Sequence, residues 1–284
     1  MTNIYVIEKE NDGMTVKDYI RTKLGFSSRA LKLLKYKGKI IADGKEVFVN
    51  FVLRYGITLE LHFPEEASES IIAENIPLDV LYEDDDFLAV NKPKNMPVHP
   101  SRGHITGTLA NAVMYRYRDK PFVFRVLTRL DTDTTGVVIL AKNAVAAHAF
   151  SFCHPVKQYL AVCVGTPEKR SGEIDAPIAR DEGIIKRCVN PCGKPSLTKY
   201  EVIKSENGVC LVRAIPVTGR THQIRVHLSY IGYPLYGDFL YGTEVIGERT
   251  RLHCETVNFK HPFSGEDIIV TAPVPEDITA FFSV

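Results

Sequence analysis

The sequence predicts an α+β chain in two unequal units, and three observations carry that expectation. From residue 79 onward, short apolar runs recur between Gly, Pro, Asn and Asp clusters, the pattern of strands rather than of helices. Before residue 64 the order differs: two short helical patterns precede three short strand patterns. Between the two lies Pro64 to Asn75, rich in Glu, Ser and Ala and without clear periodicity, which reads as a connection. The expected boundaries are a small α/β unit over 1–66, a linker over 67–77 and a mostly antiparallel unit over 78–284.

In the small unit, Thr15 is placed to cap a helix running to about Leu24 and ended by Gly25. Ser27 is placed to cap a second helix, Ser28 to about Tyr36, closed by Gly38. Strands are expected over 39–42, 47–50 and 57–63, with a turn at Asp43-Gly44. In the large unit the expected strands are 79–83, 87–91, 137–141, 158–164, 199–204, 209–215, 251–258 and 268–272. Asn207-Gly208 is a strong hairpin turn between two of them. Helices are expected over 143–152 and 222–230, the second ended by Gly232.

Composition narrows the function classes. Of the 284 residues 45% are apolar, enough for a substantial core. No apolar run approaches 18 residues, which excludes a helical membrane span. The opening residues carry no basic-then-apolar leader, so a cytoplasmic location is expected, with the six scattered cysteines as free thiols. No Cys/His set has the spacing of a structural zinc site, so no metal is expected. The net charge is only +1, but its distribution is uneven. Met14 to Leu61 holds ten basic and four acidic residues, whereas Glu65 to Asp86 holds nine acids and no Lys or Arg. A basic module beside an acidic stretch is the electrostatic footprint of a nucleic-acid binder.

The most informative stretch runs from Arg129-Leu130-Asp131-Thr132-Asp133-Thr134-Thr135-Gly136 into Val137-Val138-Ile139-Leu140. It sets a carboxylate at the mouth of a buried strand, where a charge is costly unless paired or used. Asp131 is therefore either a satisfied structural acid or a catalytic one. Asp131-x-Asp133-x-Thr135 fits the phosphatase pattern of the haloacid dehalogenase superfamily. That pattern needs an apolar strand ending at its first Asp and a downstream acidic pair for magnesium. Here the aliphatic run follows Asp131 instead, and Asp238 has no acid at suitable spacing.

The longer string resembles the RluA-type RNA pseudouridine synthases, and three further blocks match that family in order. They are Asn91-Lys92-Pro93 with Pro97-Val98-His99-Pro100; Lys157-Gln158-Tyr159-Leu160-Ala161-Val162; and Gly219-Arg220-Thr221-His222-Gln223-Ile224-Arg225 continuing to Gly237-Asp238. A weaker fifth block is Leu252-His253 with His261-Pro262. The resemblance covers roughly residues 78 to 276. Thr128 stands where the family commonly has His, and Thr135 where it usually has Ser. Residues 1–66 resemble the αL RNA-binding module of a ribosomal protein and of tyrosyl-tRNA synthetases, through Ser28-Arg29, the Lys-rich second helix, Gly38-Lys39 and Asp43-Gly44-Lys45.

The resemblance implies conversion of uridine to pseudouridine in RNA: ribosomal RNA of the large subunit is favoured, transfer RNA the alternative. Breaking the glycosidic bond and rejoining the sugar to ring carbon 5 adds and removes no atoms, so no cofactor is expected. The family assigns the nucleophile or proton acceptor to Asp131. It assigns the cation that keeps that carboxylate charged to Arg225, at the edge of the apolar face of Ile224, Leu228 and Ile231. It assigns a stacking role and help with the carbon-5 proton to Tyr159. Arg129 is implied to fill the gap left by a flipped nucleotide, and Ile224 to pack on the base. His222 and His99 are expected in structural or RNA-backbone roles. Arg29, Lys32, Lys35 and Lys39 are expected to face phosphates, in a monomer whose partner is RNA. The rival non-catalytic expectation is an RNA-binding protein with a decayed site.

Overall fold

The structure is a computed structural model that describes residues 2–26, 28–64, 71–101, 103–180, 186–242 and 248–283; the side chain of Arg29 also lies outside that set, as does Ser27, the expected cap of the second helix. Two large sheets and a two-stranded ribbon, Ile178–Arg180 with Arg187–Val189, organise the described residues. The smaller has the order Thr2–Val6, Thr58–His62, Lys39–Ala42, Lys45–Glu46, with every pair antiparallel. In Thr58–His62, Leu59 and Leu61 are buried while their neighbours are partly exposed, the two-residue period of a half-covered strand. The helix Ser28–Lys37 lays Leu34 onto this core with Ile7, Ile20 and Leu53.

Three local expectations are corrected here. The first helix is capped by Thr15, whose Oγ1 accepts the Asp18 amide at 3.1 Å, but α-helix persists only over Val16–Asp18. A π turn follows over Tyr19–Lys23. The Thr22 hydroxyl takes the Asp18 carbonyl at 2.7 Å, competing for the acceptor an α-helix needs at that point. No strand forms over 47–50. The amides of Lys17 and Val16 bond the carbonyls of Val49 and Phe51 instead, tying this segment to the start of the first helix. The edge strand Thr2–Val6 was not anticipated, because its apolar Ile4 and Val6 point outward, each 64% exposed.

The larger sheet has ten strands. Eight follow in the order Ser171–Asp175, Leu197–Glu206, Val209–Pro216, Val156–Val164, Leu252–Lys260, Thr135–Ala141, Phe87–Lys92 and Asp79–Glu83. Asp267–Thr271 pairs on Leu252–Lys260, and Arg125–Val126 on Thr135–Ala141. Neighbours are antiparallel except at the centre, where Leu252–Lys260 meets Thr135–Ala141 in parallel through His253 opposite Thr135 and Cys254 opposite Gly136. This is the α+β, mostly antiparallel architecture expected. Every residue of Thr135–Ala141 is buried, as befits a strand covered on both faces. Gly136 is obligatory at the junction: its φ is +108°, and a Cβ there meets the Cys254 carbonyl oxygen at 2.1 Å.

Helix Leu109–Arg116, not anticipated, packs Leu109, Ala110 and Val113 into the large core. Its signal was present as Thr108-x-x-Asn111, which forms a reciprocal capping box. Helix Ala144–Phe150 is capped by Asn143, whose Oδ1 accepts the Ala146 amide at 2.7 Å. Residues 71–77, within the expected linker, dock on the large unit: Asn111 Nδ2 donates to the Ile72 carbonyl, and Ile71 and Ile76 join its core. The two units also touch. Val145 belongs to the small core, and the Phe26 ring meets His148 edge-on at 6.0 Å.

Candidate active site

The strand Thr135–Ala141 enters the core at the middle of the large sheet, so the turn before it is carried to the mouth of a cavity of about 480 Å³. The Thr134 amide closes that turn on the Asp131 carbonyl at 3.2 Å. The Asp131 side chain is 31% exposed and lines the cavity, so it is half-buried rather than sunk in the core. Arg225 arrives from the opposite wall. It belongs to helix Gln223–Tyr230, whose start is held by Gln223: Oε1 accepts from the Thr218 hydroxyl and the Arg220 amide, and Nε2 donates to the Leu197 carbonyl. His222, immediately before that helix, has φ +58°, a left-handed conformation that turns the chain into the cavity wall.

Arg225 Nη1 donates to Asp131 Oδ2 at 3.1 Å, while Nε and Nη2 donate to the two oxygens of Asp238, each at 2.7 Å. Asp238 is fully buried and also accepts the amides of Leu240 and Tyr241. Burial opposes the charge on Arg225, but the bonds and field of Asp238, then of Asp131, outweigh it and raise its pKa. His222 Nε2 sits 3.8 Å from the same Asp131 Oδ2, and its Nδ1 is 2.8 Å from the Tyr241 hydroxyl. Burial lowers the His222 pKa, with Asp131 pulling the other way.

The remaining expected residues fall into place around this pair. Tyr159, Ile224, Arg129 and His99 all line the cavity, Tyr159 and Ile224 buried and Arg129 and His99 exposed. Tyr159 stands opposite Cys254 in the sheet, and burial holds its phenol in the neutral form, well above its ordinary pKa. Lys32, Lys35 and Lys39 are exposed on the small unit and are not part of the cavity wall. Asp133 does not share the cavity with Asp131: it lines a separate pocket with Lys94, Arg249 and Asp277. A phosphatase using both carboxylates on one phosphorus needs them in one site, so the geometry rejects that alternative.

The match to known proteins agrees. Residues 86–230 match the RNA pseudouridylate synthase family model. An uncharacterized RNA pseudouridine synthase of Bacillus subtilis, YjbO, is 39% identical over 277 residues, covering 94% of this chain and 97% of the relative. This chain belongs to the RNA pseudouridylate synthase family. A ribosomal large subunit pseudouridine synthase D of Vibrio parahaemolyticus is 36% identical, over 90% of this chain and 85% of the relative. Among solved structures, human RNA pseudouridylate synthase domain containing 1 is similar at a TM-score of 0.61 and 30% identity, covering 74% of this chain and 90% of that one. The protein is thus an isomerase of the pseudouridine synthase class.

Behind the Asp131 turn the synthase has a second set of basic side chains. Lys92, fully buried, donates from Nζ to the carbonyls of Pro93 at 2.9 Å and of Met96 and Thr132 at 2.8 Å each. Burial lowers its pKa to about 7, with Asp133 and Asp131 pulling upward. Arg249 donates to the Asp133 carbonyl at 3.2 Å and is itself held by both oxygens of Asp277 at 2.7 Å. His253 Nδ1 lies 2.9 Å from the Thr135 hydroxyl, and burial lowers its pKa to about 4. Thr128 Oγ1 accepts the Ile139 amide at 2.9 Å, which pins the turn to the strand it precedes. Sequence reasoning gave no role to Asp238, Tyr241, Lys92, Arg249 or Asp277. Lys92 offered a signal, a lysine closing an apolar strand; the contacts of Arg249 with Asp133 and Asp277, and of Tyr241 with His222 and Arg187, join residues too distant in sequence to offer one.

Proposed function

We propose that the synthase isomerises uridine in large-subunit ribosomal RNA, with Asp131 as the reacting carboxylate. The observation that carries the reading is the meeting of Asp131 and Arg225 at 3.1 Å on the wall of a cavity that also holds Tyr159 and Ile224. A uridine in a duplex is out of reach, so the nucleotide must leave its stack. Arg129, exposed on the cavity rim, is placed to enter the space it vacates. Tyr159 and Ile224 then pack on the base from the buried side. Asp131, 3.1 Å from Arg225, acts at the sugar, as nucleophile or as proton acceptor, while the glycosidic bond breaks. The freed uracil turns and carbon 5 bonds to the sugar, displacing Asp131 where a sugar–carboxylate bond had formed; the proton on carbon 5 is then lost while the freed ring nitrogen gains one, so the product is an isomer of the substrate. A neutral Tyr159 phenol is first a stacking surface; it takes that proton only if it hands its own on, and Asp131 is close enough to act on its ionisation.

The ribosomal target is supported by the relatives named ribosomal large subunit pseudouridine synthase D, each 35–36% identical over most of this chain. The exposed Lys32, Lys35 and Lys39 support a phosphate-contacting role for the small unit. Incubation with large-subunit RNA carrying uridine tritiated at carbon 5 tests the chemistry: label is released in step with pseudouridine formation. Mapping pseudouridines in total RNA with and without the gene tests the target. A position lost from transfer RNA instead of ribosomal RNA would overturn the target and leave the chemistry standing.

A further inference from the structure

Tyr241 lies outside the cavity, yet each of its polar atoms is bonded, and it touches both side chains that approach Asp131. Its amide donates to Asp238 Oδ1 at 3.2 Å, and its carbonyl accepts from the Ser229 hydroxyl at 2.7 Å. Its phenol oxygen accepts the Arg187 amide at 2.8 Å and lies 2.8 Å from His222 Nδ1. Its ring is 5.1 Å from the Arg225 guanidinium carbon and meets the His222 ring edge-on at 5.7 Å. One side chain therefore touches both groups that approach Asp131 and joins them to a third segment at Arg187.

We infer that Tyr241 is a positioning residue for the isomerisation, holding His222 and Arg225 so that both direct their donors at Oδ2 of Asp131 and leave Oδ1 to meet the nucleotide. The inference rests on the assignment of Asp131 as the reacting carboxylate. Its argument is one of hydrogen-bond valence. The phenol oxygen already accepts from Arg187, so its single O–H is satisfied by donating to His222 Nδ1. The imidazole proton then sits on Nε2, the nitrogen 3.8 Å from Asp131 Oδ2. That separation is too long for a formed hydrogen bond, so His222 is a poised donor that closes as the nucleotide fills the cavity. Arg225 approaches the same oxygen with the one nitrogen that Asp238 does not occupy. Two donors on one oxygen polarise the carboxylate and select the other as the attacking or proton-accepting atom.

Three variants of the full chain test this, Tyr241→Phe, His222→Gln and the double, on large-subunit ribosomal RNA transcribed with uridine tritiated at carbon 5. Tyr241→Phe keeps the ring beside Arg225 and removes only the hydroxyl. It should lower the single-turnover rate about tenfold, the worth of one orienting hydrogen bond, and leave the enzyme concentration for half-saturation unchanged. Because the hydroxyl acts through His222, the double variant should be no slower than the slower single one. A wild-type rate in Tyr241→Phe, multiplicative losses in the double, or a loss confined to half-saturation each overturns the inference. Should Tyr241→Phe melt early, His222→Gln carries the test alone, with the same tenfold loss expected and an unchanged rate overturning it. Asp131→Asn, run alongside, separates the two levels. If it is active, the assignment of Asp131 fails; if it is inactive while Tyr241→Phe is fully active, only the positioning role fails.

Discussion

On the cavity side of the Asp131 turn, Arg225 and His222 approach the carboxylate itself; on the far side, Lys92 and Arg249 reach only backbone carbonyls, those of Thr132 and Asp133. Each side anchors an arginine on a buried or half-buried aspartate, Asp238 in front and Asp277 behind. The difference lies in what the free donors meet. In front they meet the carboxylate proposed to react, so in that reading their orientation governs its reactivity. Behind they meet neutral dipoles that do not change, so they govern where the turn sits. A cation bound to carbonyls is a structural bolt, and one bound to a half-exposed carboxylate in a cavity is an adjustable part.

That contrast breaks most sharply at the two aspartates of the turn. Asp131→Asn should reduce turnover by several orders of magnitude with folding nearly intact, because the amide fits the space and can neither attack nor accept the proton. Asp133→Asn should change the rate far less, since Asp133 faces the rear pocket. Label release from carbon 5 measures both; two equally dead variants would sink the division of the turn into a reacting front and a holding rear.

Asp277→Asn probes the rear alone. It leaves Arg249, 4% exposed, without its carboxylate, and a broken buried pair costs about 3 kcal/mol. Chemical denaturation should show a loss of that order, discounted because Asp277 is partly exposed, whereas the single-turnover rate of the folded enzyme stays within roughly threefold of wild type. A large rate loss with unchanged stability would place the rear bolt in the chemistry.

The pH dependence of stability sharpens the same point. The folded-state pKa of Lys92 is about 7, below the ordinary 10.5. Between those values the unfolded chain binds more protons than the folded one, so this group makes stability rise with pH across that window and contributes no slope below it. Lys92→Met should flatten that part of the profile. An unaltered slope from pH 7 to 10 would show that the three carbonyls keep Lys92 fully charged in the fold.

The smallest effect is expected farthest from the turn. Replacing Lys32, Lys35 and Lys39 together by Gln should reduce the slope of log binding constant against log salt by up to about 3, roughly one unit for each lost phosphate contact. The rate at saturating RNA should be unchanged. An unchanged salt slope would remove these lysines from the RNA interface.

Much of this was legible locally. The strand at 137–141 showed as an unbroken aliphatic run, the hairpin at Asn207-Gly208 as a turn pair with positive φ at both positions, and Asp131, Tyr159 and Arg225 as members of separate motifs. What misled was also local: Val47 to Asn50 looks like a strand, yet its backbone groups serve the first helix, and Ile4 and Val6 hide an edge strand by facing outward.

The sequence by itself determined the family, the α+β class and the identity of the residues gathered at the cavity, because those follow from periodicity and motif, which are written within a few residues of each other. Only the tertiary structure decided that Asp131 and Asp133 face different pockets, that Asp238 and not Asp131 is the deep anchor of Arg225, and that Lys92, Arg249 and Tyr241 hold the site from outside it. Those contacts join segments far apart in the chain, 94 residues for Arg225 with Asp131 and 116 for Arg249 with Asp133. A charge or a carbonyl selects its partner by distance and desolvation in the folded state, and neither quantity exists until the sheet has brought the strands together.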